Sequence, residues 1–390
     1  MNRVTRAVAG LSLLAVAACG GPAGHRAHTG SLLARDAKRV HAAGVVGVVA
    51  QAVTPRGDAA ARSGIGNRRT GGAPPLNGYI AIGSTTKTFT ATVILRLAGE
   101  GRLSLSDTVG HWLPGVVAGN GNDGSKITIR ELLQHTSGLY DYTVALIPGL
   151  LTPAGYHRNV GRRYTPAQLV DLAMRHRPLF APGTRFSYSN TNYVLLGMLI
   201  KRVTGRTWEQ EVHDLILRPL GLAHTLTPDQ ATRLPRPHAR LYQQFSPRGP
   251  LVDTTIPPLG ISTTADGAMF STPSDLNRFF QALLGGRLLR PAQLAQMERT
   301  VPEPASSTVI PGARYGLGLE RYPLPCGGYY WSHSGDGIGV DDENGVLPGG
   351  RASTVVYLTS RPATRGPFVA QLKAADQLVT DQLCAARSTG

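Results

Sequence analysis

The sequence predicts an α/β (α+β) fold: one sheet flanked by helices and completed by both ends of the chain, with a mostly helical lobe inserted beside it. Three observations carry this. A helical stripe and a β-branched run open the folded body, a long middle is rich in helix signals, and three strand-like runs followed by a helix close the chain. With 390 residues, 42% of them hydrophobic and 16% charged, the chain can bury a large core.

Taken in order, Arg3 and Arg6 precede an apolar run over residues 7–18 that is too short to span a bilayer as a mature helix. Residues 1–18 are therefore expected to be an export signal. The run ends Val16-Ala17-Ala18-Cys19-Gly20, similar to the lipobox of bacterial lipoproteins, so Cys19 is expected to be lipidated; the alternative is cleavage after a small-x-small site. Residues 19–30, glycine-rich and poor in apolar side chains, read as anchor and flexible tether. The expected location is the outer face of the cytoplasmic membrane, held there only through lipid, and otherwise the protein is secreted. With Cys19 occupied, Cys326 and Cys384 form an even pair in an oxidising compartment, expected as a disulfide rather than two buried thiols.

The body, 31–390, opens with Leu32, Leu33, Ala37 and Val40 on one helical face, then a strand over 44–53 and a short strand over 79–83. Ser84 starts a helix with Phe89, Val93, Ile94 and Leu97 at helical spacing, ending near Gly99 to Gly101. The middle, 107–266, carries helical patterns over 129–135, 165–175, 192–204 and 207–217, several opened by a Thr or Asn cap. The α/β lobe, 31–106 and 267–390, resumes with a helix over 273–284 behind Thr272, strands over 315–320, 329–333 and 352–359, and a helix over 367–383.

The formal charge of +16 comes from scattered arginines with few interleaved aromatics, which argues against nucleic-acid binding. No His-Glu-x-x-His or clustered Cys/His set suggests a zinc hydrolase, and no Gly-x-Ser-x-Gly elbow suggests an α/β-hydrolase. Three other groups do suggest chemistry. Ser84-Thr85-Thr86-Lys87 sets a hydroxyl and an amine three residues apart on one helix face, and an enclosed lysine loses proton affinity and can serve as base. Among the five lysines no other has a serine three places before it. Tyr188-Ser189-Asn190 should lie in a loop; its phenol could run as phenolate and its amide could hold a substrate amide. His333-Ser334-Gly335 ends the aromatic run from Tyr329, as expected for a strand whose exposed edge faces a cleft, with glycine admitting a substrate backbone.

In this order the three groups resemble the penicillin-recognising serine hydrolases, which include class C β-lactamases, DD-peptidases and related esterases. The likeness extends to Leu132-Leu133-Gln134-His135-Thr136-Ser137-Gly138-Leu139 and to Pro182-Gly183-Thr184-Arg185-Phe186-Ser187 before Tyr188. Residues 291–297, 315–319, Cys326 and Cys384 look especially like the D-alanyl-D-alanine carboxypeptidase branch. The resemblance implies a β-lactamase/transpeptidase-like fold with an antiparallel sheet. It implies Ser84 as acylated nucleophile, Lys87 and Tyr188 as proton-transfer partners, and His333 in the usual Lys/His position. Asn190, Ser334 and Gly335 would bind substrate, and the N–H groups of Ser84 and Asp336 would form the oxyanion hole. His135 reads as structural. The implied activity is that of a D-alanyl-D-alanine carboxypeptidase-like or β-lactamase-like serine hydrolase, a monomer without metal or cofactor acting on a small peptide, ester or β-lactam substrate or on cell-wall peptidoglycan.

One departure matters for specificity. Where the carboxypeptidase branch holds a substrate carboxylate with an arginine and a hydroxyl, alignment places Glu320 and Asp336, with Asp341, Asp342 and Glu343 close behind. An acidic rim would repel an anion and favour an amine-bearing or neutral amide or ester, as in aminopeptidase and esterase members. A binding protein that kept the scaffold without catalysis is the remaining alternative.

Overall fold

The computed structural model describes residues 23–256, 264–304 and 310–387. The expected export signal and Cys19 lie outside the described residues. The first helix, α1, runs Ala23–Ala42. Residues 23–30, assigned above to a tether, therefore belong to a helix.

Among the described residues the main sheet has nine strands: β1 Gly47–Thr54, β2 Gly57–Gly64, β3 Val301–Pro302, β4 Arg314–Tyr315, β5 Glu320–Pro323, β6 Tyr329–Ser332, β7 Gly335–Gly337, β8 Val340–Val346 and β9 Ser353–Leu358. Their order is β2-β1-β9-β8-β6-β5-β4-β3, with β7 paired to β8, and the pairs are antiparallel. Val49 sits opposite Tyr357 and Val356 opposite Glu343, so the N-terminal strand closes against one from the C-terminal part. The sheet is thus assembled from both parts of the chain.

Alternation along the strands sends side chains to two cores. Leu33, Ala37 and Val40 of α1 pack with Val48, Tyr330, Val356, Leu378 and Leu383 on one face, the last two from α5, Arg365–Arg387. The other face packs on α2, Thr86–Gly99, α3, Asn190–Thr204, and α4, Pro273–Leu284. Phe89 of α2 stacks on Phe279 of α4 with ring centroids 3.6 Å apart, an arrangement worth about 1 kcal/mol beyond its buried area. The middle of the chain is mainly short helices, and Thr128, Thr165 and Thr207 each close a capping box at a helix start. Cys326 and Cys384 are joined by a disulfide that ties the β5–β6 turn to the last turns of α5.

Two strand expectations need correction. The continuous strand over 315–320 is instead the β4–β5 hairpin, because the chain turns at Gly316 and at Gly318, whose φ is +72°. β2 and β8 were not expected: Gly57–Gly64 holds only small and polar residues, and Val340–Val346 reads Val-Asp-Asp-Glu-Asn-Gly-Val. β6, expected as an exposed edge, lies inside the sheet between β5 and β8. The edge nearest the cleft is β7.

Candidate active site

Ser84 sits in a single tight turn, Gly83–Thr85, that leads into α2. Gly83 has φ +46°, and a Cβ there would lie 2.5 Å from the Asp336 carbonyl oxygen, so only glycine lets the turn rest on β7. On the other side of this contact a Cβ at Gly335 would meet the Ile82 oxygen at 1.9 Å. The two stretches expected to supply oxyanion donors, Ser84 and Asp336, are therefore held backbone to backbone. Half-buried Ser84 lines a cavity of about 510 Å³ together with Asn190, Asp266, Asp336 and the apolar Ile147, Leu241, Phe245, Phe270 and Ile338.

One turn along α2, Lys87 is wholly buried. Its Nζ lies 2.9 Å from Ser84 Oγ, 2.7 Å from Asn190 Oδ1 and 2.6 Å from the Asp266 carbonyl oxygen. Burial pushes its pKa from 10.5 down to about 8, against the opposing pull of Asp266, Asp141, Asp336 and Glu320. Near neutrality the amine is thus within reach of its basic form.

Tyr188 arrives on the loop before α3, its hydroxyl hydrogen-bonded with Ser84 and its ring 5.0 Å from Lys87 Nζ. Burial raises its pKa well above 10, so the resting group is a neutral phenol and not the phenolate considered from sequence. Asn190 starts α3; its Oδ1 accepts from Lys87 and its Nδ2 donates to Asp141 Oδ2 at 3.0 Å, so the amide expected to hold substrate also positions the lysine. His135 lies behind Tyr188 with ring centroids 4.2 Å apart, and its Nδ1 accepts the Ser189 N–H at 3.2 Å. Burial lowers its pKa well below 6.5, so it stands there uncharged.

His333 is 1% exposed. Its Nδ1 lies 2.9 Å from the Ser334 oxygen, which can only accept, so Nδ1 carries the proton and Nε2 accepts from the Tyr315 hydroxyl at 2.8 Å. Burial brings its pKa to about 3, and the ring is neutral rather than cationic. Ser334 donates its N–H to Glu320 at 3.1 Å. Of the third group and its flank, Asp336 and Gly337 line the cavity, whereas His333, Ser334 and Gly335 do not.

The acidic rim also changes character. Glu320 is 7% exposed and shares a sheet face with Tyr322, away from Trp331. Asp341 and Asp342 are buried, and burial raises both to about 8. Protonated Asp342 can donate to Thr85 Oγ1 at 2.8 Å, which donates on to the His333 carbonyl at 2.7 Å, locking the start of α2 to the end of β6. Only Asp336 of this group lines the cavity, and its carboxylate meets Arg361 Nη1 at 2.7 Å. The acids expected to repel an anion are therefore buried or paired.

Sequence reasoning missed Asp266, Asp141, Tyr142 and Arg361. Asp266 supplies the carbonyl that Lys87 contacts, and its carboxylate accepts from Tyr142 at 2.6 Å and from Thr264. Tyr142 and Asp141 follow soon after Leu139, where the motif seen in the sequence stops; nothing in the pattern around Asp266 marks it.

The family profile described as Beta-lactamase matches residues 33–379. A D-stereospecific amidohydrolase from Streptomyces sp. superposes with TM-score 0.79 at 37% identity, over 88% of this chain and 98% of that one. The D-amino acid amidase of Ochrobactrum anthropi SV3 gives TM-score 0.79 at 25% identity, over 92% and 99%. Among curated relatives, penicillin-binding protein 4 of Amycolatopsis lactamdurans is 32% identical over 174 residues, 44% of this chain and 42% of its own length. Protein flp of Staphylococcus aureus is 31% identical over 211 residues, 54% and 39%. The chain spans about two fifths of the length of these curated relatives. The matched profile, the antiparallel sheet and the Ser84–Lys87–Tyr188 cluster agree: this chain belongs to the beta-lactamase family of penicillin-recognising serine hydrolases.

Proposed function

We propose that this serine hydrolase is an exported, lipid-anchored amidase that cleaves small amides, or related esters, of D-configured amino acids through an acyl-Ser84 intermediate. The observation that carries the chemistry is the contact set of Lys87. Two of its three partners, Asn190 Oδ1 and the Asp266 carbonyl, can only accept, so a neutral amine spends both hydrogens on them and turns its lone pair to Ser84 Oγ.

Lys87 Nζ takes the Ser84 proton as Oγ bonds to the substrate carbonyl carbon, and the N–H groups of Ser84 and Asp336 stabilise the oxyanion. The C–N bond then breaks; the leaving amine receives its proton from Tyr188, which regains one from Lys87. Water adds to the ester by the reverse path, releasing the acid and free Ser84.

The amide preference is supported by the amidohydrolase and amidase neighbours. It is also supported by Glu320, buried where the carboxypeptidase branch carries a carboxylate-binding arginine, and by Arg361, neutralised by Asp336. A second reading, a D-alanyl-D-alanine carboxypeptidase, is favoured by Arg365, an exposed cation lining the cavity. The test compares D-phenylalanine amide, its L isomer and a peptide ending in D-Ala-D-Ala, with Ser84→Ala as control. The D-amide should exceed the L-amide by at least about tenfold, an ordinary margin for a shaped pocket. Turnover of the free-acid peptide alone would favour the carboxypeptidase, and measurable but equal rates on D- and L-amides would overturn the D-amidase. Anchoring is tested separately: Cys19→Ala should release the protein from membranes and abolish radiolabelled palmitate incorporation, and unchanged incorporation would refute lipidation there.

A further inference from the structure

We infer that Arg361 is a positioning residue for the oxyanion side of the site, acting by clamping β7 against the Ser84 turn. This rests on the reading of Ser84 as nucleophile and Asp336 N–H as oxyanion donor.

On the Ser84 side, β7 is fixed by steric contact alone, backbone against backbone at Gly83 and Gly335. β7 pairs with β8 along one edge, and Gly335, Asp336 and Gly337 leave the strand with little side-chain packing of its own. Something must press it from the cavity side. Arg361 does so with two bonds from Nη1, to Asp336 Oδ2 at 2.7 Å and to the Gly337 carbonyl at 3.3 Å.

The guanidinium is itself held. It lies 4.0 Å from the Phe368 ring centroid on α5, a cation–π contact, and its backbone pairs with Gln243 in a separate small sheet. Gln243 continues the brace, accepting the Gly339 N–H at 3.0 Å, while Thr254 bonds the Ile338 carbonyl at 3.1 Å. The β7–β8 hairpin is therefore tied at consecutive residues to elements outside the main sheet, and Arg361 makes the only ionic tie to it among the described residues. The guanidinium holds a carboxylate and a carbonyl from one nitrogen while it lies over the Phe368 ring, and an ammonium on a flexible stem holds that direction less well. The bond to the Gly337 carbonyl holds backbone directly, next to the peptide that carries the Asp336 N–H.

The experiment uses the full chain, with Arg361→Ala, Arg361→Lys, Asp336→Asn and the double variant Asp336→Asn/Arg361→Ala. Backbone amide exchange over 335–339 should accelerate in Arg361→Ala while α2 and α5 keep wild-type protection. Unchanged exchange there would overturn the clamp whether or not any substrate is turned over. On a p-nitrophenyl ester, kcat should fall about tenfold to hundredfold with KM nearly unchanged, a part of the loss seen when an oxyanion donor is removed outright. Arg361→Lys should recover only a minor share, and the double variant should be no worse than the poorer single. A raised KM with unchanged kcat would mean that Arg361 binds substrate, and additive losses would separate it from Asp336; either overturns the proposal. Wild-type protein as inactive as Ser84→Ala would instead sink the catalytic reading, leaving the exchange result to decide the clamp.

Discussion

If Lys87 is the base, the rate of acylation must follow its neutral form, and Asp266→Asn should displace that dependence in a known direction. With a pKa of about 8, roughly one lysine in a hundred is neutral at pH 6 and about one in ten at pH 7. The rate should climb about tenfold per pH unit and level off above pH 8. Asp266 is the largest of the charges that oppose the effect of burial on Lys87. Asparagine keeps the shape, leaves the backbone carbonyl to Lys87 and can still accept from Tyr142, so the main change is the lost negative charge. Without it the ammonium is less favoured, the Lys87 pKa falls further, and the rising limb moves to lower pH. Each unit of displacement is about 1.4 kcal/mol and raises the rate at pH 6 about tenfold, with little change at the plateau. The assay is the pre-steady-state burst of p-nitrophenol from an ester substrate between pH 5 and 10. A limb that stays in place, or moves to higher pH, would refute Lys87 as the base.

Other expectations follow from the same geometry. Tyr188→Phe should slow amide turnover by about a hundredfold, the scale of one lost acid–base partner, and slow a p-nitrophenyl ester less because its leaving group needs no proton; equal losses on both would contradict the relay. Gly335→Ala would force a Cβ against the Ile82 carbonyl and should lower stability in urea by about 1–3 kcal/mol together with acylation, whereas a fully active, fully stable variant would refute the backbone contact. Replacing Cys326 and Cys384 by serine opens a crosslink spanning 58 residues and should cost up to about 4 kcal/mol in urea unfolding; no loss would show that the bond does not restrain the unfolded chain.

Much of the fold was legible because apolar periodicity survives in its helices and central strands: α2, α4 and α5 follow their spacing, and β1 and β9 their β-branched runs. β8 was hidden because a strand bearing Asp341, Asp342 and Glu343 carries no apolar alternation, and burial holds its carboxyls in their protonated range. At the site, motif spacing pointed to Ser84, Lys87 and Tyr188, since three short groups specify residue types that chemistry requires close together. It could not show that Glu320 is buried against the Ser334 N–H and does not line the cavity, because burial is set by tertiary packing and not by position in an alignment. Nor could it reveal Asp266 or Arg361, which act through tertiary contacts with Lys87 and Asp336 that leave no local pattern.

Every step proposed for this site depends on Ser84 Oγ as the nucleophile. Treating the protein with a fluorophosphonate probe and sequencing its peptides by mass spectrometry tests this most directly. The predicted result is a single adduct on the peptide containing Ser84, lost in Ser84→Ala and slowed at pH 6 relative to pH 8 as Lys87 takes up its proton. An adduct on another serine, or labelling that persists in Ser84→Ala, would remove Ser84 as the nucleophile.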